Sequence, residues 1–325
     1  MDAAVDPQLI ARFRGDLAAV WPETHDRPQK LAIAVSGGPD SIGLLLLANA
    51  ARPGAIEAAT VDHGLRPESA AEAQWVARLC ETLGVPHETL RVEVAPGNLQ
   101  SRARAARYHA LDQWMGQRSL HAVATAHHAD DQAETLLMRL NRGSGLPGLA
   151  GVRPSGVVPG GRGLLVRPLL GWRKAELEAL VRTAGIERIA DPSNRDTRFD
   201  RVRMRRTLAG ADWLDPLALA RSAALLGEAE AALQSVVEAT WRDGVTRRHD
   251  GWRFAVSQTD YIRIEVVGRI LAEMNAPAPR SEIARLVARL AGGDNASLAG
   301  VLATPSQESG AELWTFRPEP PRRSG

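Results

Sequence analysis

The sequence predicts an α/β fold, a doubly wound and mainly parallel sheet, followed by a second, mainly helical domain. Three observations carry that expectation. Short β-like runs alternate with helical ones through the first two thirds of the 325 residues. Those runs lack the polar face of a half-exposed strand, as in a sheet covered on both sides. From about Pro216 the texture turns to alanine- and leucine-rich helical periodicity. The domains are therefore drawn as 1–215 and 216–325.

Residues 1–20 read as an amphipathic helix, and strand–helix pairs follow in order. LAIAV (31–35) feeds a helix to about Ala50, and IEAATV (56–61) one from Pro67 to about Leu83. HETLRVEV (87–94) precedes a helix over 98–115, HAVATA (121–126) one to about Leu140, and LLVRPLL (164–170) one over 173–184. The glycine-rich stretch 142–163 is longer than an ordinary connection and reads either as a mobile substrate loop or as a tolerated surface insertion. The second domain reads as a helix over 217–240, a hairpin in RHDGWRFAV, helices over 260–274 and 280–291, and a β-like tail in LAGVLATP and ELWTFRPE.

Composition narrows the function classes. With 44% hydrophobic residues and mixed charge, the chain is long enough to bury a sizeable core. Its longest apolar segment, 42–51, is too short to span a bilayer, and acids precede any apolar run at the N-terminus, unlike a secretory signal. A cytoplasmic protein without a membrane span is expected. Cys80 is the only cysteine, so one chain offers neither a disulfide nor a cysteine-ligated zinc or iron–sulfur site. Net charge is a modest +2, yet Lys30 and Lys174 are the only lysines among the basic residues. The forked donors of arginine suit phosphate, which leaves a nucleic-acid face open.

In sheets of this kind ligands sit beyond the carboxyl ends of the strands. There the sequence places SGGPDS (36–41), DHGLR (62–66) and HHADDQAE (127–134). A strand feeding a glycine loop and then a helix holds an anion through backbone N–H groups and the helix N-terminus. Gly37 and Gly38 allow close approach, and Pro39 fits the first helical turn. The GxxxxGK[ST] pattern is absent. Asp40 would repel a phosphate unless Mg²⁺, which favours one or two carboxylates plus phosphate oxygens, lay between them.

The remaining candidates cluster after the later strands. On the helix beginning near His128, Ala129, Ala133, Leu136 and Leu140 form an apolar stripe, while Asp130, Asp131 and Glu134 project from another side. Three carboxylates there either hold an ammonium or magnesium ion or merely favour the helix dipole. His127 and His128, being adjacent, point to different sides, so one at least packs or caps. Asp62 and His63 follow a strand, where either a ligand or a turn closed by Gly64 accounts for them. Arg104 and Arg107 lie one turn apart. Six arginines between 195 and 206 form either a phosphate-binding stripe or an exposed helix face. Trp241, Trp252 and Trp314 suit base stacking or, more simply, a core.

SGGPDS resembles the SGGxDS loop of the PP-loop ATP pyrophosphatases, which split ATP between the α and β phosphates. Four further segments resemble the tRNA(Ile)-lysidine synthases: VDHGLRPES (61–69), ARAARY (103–108), TAHHADDQAETLLMRLNRGSGLPGL (125–149), and RPLLGWRKAEL with DPSNRDTRFDRVRMR (167–177 and 191–205). The resemblance implies ATP and Mg²⁺ as cofactors, with tRNA(Ile) bearing a CAU anticodon and free L-lysine as substrates. The wobble cytidine is adenylated at its C2 oxygen, and the lysine ε-amine then displaces AMP. It also implies site roles. Ser36, Gly37, Gly38, Pro39, Asp40 and Ser41 hold the nucleotide with Asp62, His63 and Arg107, and Asp40 binds the metal. Asp130 either joins the metal or orients substrate, Asp131 and Glu134 handle lysine, and Arg104 grips the phosphates or the cytidine. On the phosphate-stripe reading of the arginines, Arg195, Arg201 and Arg205 meet the RNA; a homodimer is a family expectation. The sequence departs from the family pattern at Val202, at Met204 and at Ile42-Gly43. Two rivals stand beside this reading. A tRNA cytidine 2-thiolase needs more cysteines than Cys80, and a non-catalytic tRNA-binding protein has no use for Asp40 and Asp131.

Overall fold

The computed structural model describes residues 5–22, 29–64, 69–93, 99–186, 200–256, 259–308 and 310–319. They gather into two compact units, Met1–Gly227 and Glu228–Gly325.

The first unit opens with α1 (Pro7–Val20), which starts where the Asp6 side chain accepts the Gln8 amide at 2.8 Å and buries Phe13 and Leu17. Then come β1 (Leu31–Ala34), α2 (Pro39–Ala51), β2 (Ile56–Asp62), α3 (Ser69–Thr82), β3 (His87–Arg91), α4 (Leu99–Arg118), β4 (Ala122–Ala124) and α5 (Ala129–Leu140). After these follow α6 (Leu146–Leu149), β5 (Ser155–Val157), β6 (Leu164–Val166), α7 (Lys174–Thr183), α8 (Asp200–Ala209) and α9 (Pro216–Gly244). The six strands lie in the order β3-β2-β1-β4-β6-β5, parallel except for the edge strand β5. Leu31 pairs with Ile56 on one side and Ala122 on the other, so β1 is central.

Both sheet faces are covered. On one, Leu31 and Ile33 pack with α1, α2, α3 and α7; on the other, Ala32, Val123 and Leu165 meet Tyr108, Leu111, Trp114 and Met115 of α4. Four consecutive leucines, Leu44–Leu47, are all buried because α2 lies between the sheet, α1 and α7. Each such side chain contributes about 1.5–3 kcal/mol relative to exposure. Gly43 explains one departure from the family pattern: a Cβ there would sit 3.3 Å from Leu177 Cβ, so the glycine suits the close approach of α2 and α7.

The stretch 142–163 differs from the mobile-loop reading. It carries α6 and β5 and is tied down along its length. Gln132 brackets Val152, accepting its N–H at 2.6 Å and donating to its carbonyl at 2.7 Å. Asp112 accepts the Arg162 and Gly163 amides at 3.0 and 2.7 Å, and Arg139 donates to the Gly148 carbonyl at 2.6 Å.

The second unit begins within α9 and continues through β7 (Val245–Arg248), β8 (Gly251–Val256), α10 (Asp260–Glu273), α11 (Arg280–Ala291), β9 (Ala296–Leu298), β10 (Val301–Glu308) and β11 (Ala311–Pro318). The β-like segments expected from sequence join into one antiparallel sheet, β7-β8-β11-β10-β9, beside the helices. Its aromatic residues serve packing rather than base stacking. Trp314 is fully buried edge-on to Phe254 at 5.9 Å, and Trp241 and Trp252 lie against each other at 5.3 Å.

In the first unit the strand order reverses between β1 and β4, so the chain leaves these neighbours in opposite directions. A crevice opens beyond their carboxyl ends, where SGGPDS and HHADDQAE lie.

Candidate functional site

The loop after β1 is built by its own small residues. Gly37 has φ 83°, a left-handed conformation that favours glycine, and Gly38 caps α2 with Pro39 in its first turn. The buried Ser41 hydroxyl donates to the Gly38 carbonyl at 2.9 Å and accepts the Ser36 amide at 3.1 Å. That internal bond takes Ser36 N–H out of the set of amides expected to face a ligand. The first-turn amides of Asp40 and Ser41 have no intrahelical acceptor. Asp40 stands beside them, its Oδ1 buried without a hydrogen-bond partner among the described residues.

His128, at the N-terminus of α5, is 1% exposed and enclosed by carboxylates. Its Nε2 lies 3.5 Å from both Asp40 Oδ2 and Asp131 Oδ2, and its Nδ1 3.6 Å from Asp130 Oδ2. Burial disfavours its charge, but the surrounding carboxylates of Asp130, Asp40 and Asp131 outweigh burial and raise its pKa to about 9. Sequence left the two histidines undivided; the three acids around His128 are what separate them. His127 goes the other way. Burial, reinforced by Arg167, Arg104 and Arg201, lowers its pKa to about 4 against the pull of Asp131, and its Nδ1 lies 3.0 Å from Thr125 Oγ1.

Asp130 has partners of its own. It accepts the Lys174 amide at 2.8 Å, lies 3.5 Å from Arg173 Nε, and does not line the cavity. Burial opposes its ionisation, yet the neighbouring His128 and the hydrogen bond from the Lys174 amide lower its pKa to about 2. It braces α5 against the start of α7 and reaches Asp40 only through His128, which stands between them. Asp131 and Glu134 do not project freely either. Arg201 Nη2 donates to Asp131 Oδ1 and Arg201 Nε to Glu134 Oε2, both at 2.8 Å. Arg205 holds Glu134 through Nε at 2.7 Å and Nη2 at 3.2 Å, and Glu134 is 1% exposed. Arg201 and Arg205, expected on RNA phosphates, are thus engaged by these acids. Arg195 and the DPSN segment lie outside the described residues. Val202 is buried in packing, and Leu140 is 57% exposed rather than part of the apolar stripe.

A cavity of about 440 Å³ joins what remains. Its lining includes Ser36, Gly38, Asp40 and Ser41 of the glycine loop, Asp62 and His63 after β2, Arg104, Arg107 and Tyr108 of α4, and His127, Asp131 and Arg201. Asp62 Oδ1 accepts the Gly64 amide at 2.9 Å; that bond, with Ser69, holds its pKa below the usual carboxylate value. It therefore closes its own turn while facing the cavity. His63 Nε2 lies 3.5 Å from Arg107 Nη2, and Arg104 stacks 4.9 Å above the Tyr108 ring. Tyr108, buried at the cavity wall, went unnoticed as a site residue although ARAARY contains it. Among the described residues no group of three or more His, Cys, Asp or Glu side chains is placed to hold a metal ion. Any cation at Asp40 would need ligands from its substrate.

Residues 11–211 match the family model of the PP-loop domain. Over 318 residues the chain is 46% identical to the tRNA(Ile)-lysidine synthase of Novosphingobium aromaticivorans, covering 97% of this chain and 95% of that one. It is 38% identical over 305 residues to that of Zymomonas mobilis, covering 90% of each. In structure it is similar to a U34-tRNA thiolase from Methanococcus maripaludis with its 4Fe–4S cluster, with TM-score 0.55, 17% identity, and coverage of 68% of this chain and 81% of that chain. At that identity the likeness speaks for the fold alone.

Proposed function

The chain belongs to the tRNA(Ile)-lysidine synthase family of PP-loop proteins, and from that premise we infer that it ligates free L-lysine to C2 of the wobble cytidine of tRNA(Ile) with a CAU anticodon. The cytidine C2 oxygen attacks the α-phosphorus of ATP and pyrophosphate leaves. The lysine ε-amine then attacks C2, loses a proton, and AMP departs with the oxygen. Adenylation turns a poor leaving group into a good one. The observation that carries this reading is one cavity lined by the glycine loop with Asp40 and also by Asp131, both carboxylates lying 3.5 Å from His128 Nε2.

Each side has a role in the reading. Amides of the loop and of the first turn of α2 stabilise the charge gathering on pyrophosphate. Asp62 and His63 border the adenosine, and Arg104 and Arg107 face the phosphates or the base. Asp131 and Glu134 handle lysine. The orphaned Asp40 Oδ1 fits Mg²⁺, which when bound neutralises phosphate charge. The second unit, a homodimer and a cytoplasmic location complete the proposal; no described helix is long and apolar enough to cross a membrane. A thiolase reading lacks support, since Cys80 is the only cysteine and burial pushes its thiol up to about 12.

Mass analysis of the anticodon nucleoside after incubation with ATP, cognate tRNA and labelled lysine tests the reaction. Lysine mass and label on the cytidine are expected. Sulfur in their place, or an unmodified base, would refute it.

A further inference from the structure

The arginines of the second unit fall into two kinds. Among the described residues six pair with a carboxylate, as Arg317 does with Asp250 at 2.7 Å. Two more, Arg285 and Arg289, donate to the carbonyls of Ser281 and Asn295. Arg247 and Arg248, adjacent and exposed at the end of β7, make neither a hydrogen bond nor an ion pair among the described residues.

Arg247 is nonetheless held in place. Its guanidinium lies 5.8 Å from the centre of the Trp252 ring, Trp252 lies 5.3 Å from Trp241, and Arg269 stacks 4.1 Å over Trp241. The two ends of this ladder differ in one respect. Arg269 has Glu238 at 2.8 Å, and Arg247 has no acid. The nearby acids are engaged by other arginines, Asp243 by Arg242 at 3.0 Å and Asp250 by Arg317 at 2.7 Å. Packing orders a cation at both ends, and the protein supplies a counter-charge at one.

The hairpin is pinned as well. Arg247 and Arg248 stand opposite Trp252 and Gly251 of β8. Gly251, at φ 153°, lies so close to β11 that a Cβ there would run into the Phe316 carbonyl. Strand β7 forms the edge of its sheet, and successive strand residues point to opposite faces. One arginine therefore stands on each side of that edge.

Resting on the tRNA substrate proposed above, we propose that Arg247 and Arg248 grip backbone phosphates of the tRNA, which supplies the counter-charge that the hairpin lacks. A guanidinium binds phosphate through its fork, and one already stacked on an aromatic ring has less freedom to lose. Contacts of this kind carry no base information. The hairpin adds affinity and leaves the choice of base to the cavity.

The test is the affinity of the full chain for unmodified cognate tRNA across a salt series, without ATP or lysine. Arg247→Gln and Arg248→Gln should each flatten the slope of log affinity against log salt by about 0.7–0.9, and weaken binding by about 5–8-fold near 0.1 M salt. Arg247→Lys keeps the charge and should keep the slope. Arg285→Gln removes an exposed charge from another face of the unit and should leave the slope unchanged. Thermal unfolding of Arg248→Gln should match wild type, since this side chain has no partner to lose. Turnover at saturating tRNA should be unaltered in both glutamine variants, with KM for tRNA alone raised. Wild-type slopes in both of them, or an equal loss in Arg285→Gln, overturn the grip. Phosphatidylserine vesicles are titrated beside tRNA, and a loss confined to the vesicles would assign the hairpin to a lipid surface and overturn it likewise. A wild-type chain without affinity for tRNA refutes the substrate reading itself, whereas normal wild-type binding with unflattened variants refutes only the grip.

Discussion

Asp40 Oδ2 lies 3.5 Å from His128 Nε2 while its Oδ1, buried at the start of α2, has no hydrogen-bond partner among the described residues. A buried carboxylate oxygen without a protein donor is costly in a folded protein and asks for a partner. A cation shared with a phosphate is the partner that the neighbouring loop amides imply. Asp40→Asn keeps the shape and removes the charge. Pyrophosphate release with ATP, Mg²⁺ and cognate tRNA is expected to fall by at least about 100-fold, with RNA binding in a filter assay unaltered. Unchanged release would remove the metal assignment.

Gly37 and Gly38 answer different demands. Gly37, at φ 83°, sits where a side chain is strained, and Gly37→Ala should cost about 1–2 kcal/mol of stability. Gly38 has an ordinary φ of −76°, and a Cβ there would meet nothing nearer than Ser36 Oγ at 3.7 Å. The free protein therefore tolerates a methyl at 38, and Gly38→Ala should unfold within about 0.5 kcal/mol of wild type. If a diphosphate approaches the main chain there, the same variant loses ATP affinity. Calorimetric titration with ATP beside thermal unfolding separates the two effects; full affinity in Gly38→Ala would place the phosphates elsewhere.

The strands most legible in the sequence were those buried on both faces. Runs such as LAIAV and HAVATA lack a polar face because helices cover the whole sheet, and they match β1 and β4 in position. Strand β5 escaped notice since Ser155, Gly156 and Val157 pair only with β6 and show no periodicity. The phosphate loop was legible because its residues act locally, Ser41 closing on Ser36 and Gly38. The acids of α5 were visible as a group, but their burial was not. It arises from Arg201 and Arg205, 67 and 71 residues away from Glu134, and no helical pattern in α5 announces a neighbour at that separation.

Glu134 receives both arginines, so its charge governs where they stand. Glu134→Gln keeps the volume and leaves Arg201 and Arg205 competing for Asp131. The adenylated tRNA should still form, because the loop and Asp40 are untouched, while KM for lysine rises by about tenfold or more. Single-turnover assays that trap the adenylate and then add lysine resolve the two steps. Lysine affinity equal to wild type would detach the acids of α5 from the amino-acid substrate.

A second buried acid, at the amino end of β2, supplies a test of stability that leaves catalysis alone. Glu57, 3% exposed in β2, accepts Lys30 Nζ and Arg118 Nε, each at 2.8 Å. Burial by itself would raise its pKa; the bonds and charges of Lys30 and Arg118 more than offset burial and hold it below 4.5. A carboxylate with a depressed folded-state pKa adds stability that is present above its unfolded value and is lost as pH falls through the folded one. Both cations are about half exposed, so water and salt screen the pair and its worth is about 1 kcal/mol. Urea unfolding should find Glu57→Gln less stable than wild type by that amount at neutral pH. The gap should narrow below pH 4.5, close once Glu57 is protonated in the fold, and shrink in high salt. A gap that stays constant into acid would show that packing, not ionisation, sets the role of Glu57. Turnover of the folded variant at neutral pH should equal that of wild type, because Glu57 does not line the cavity.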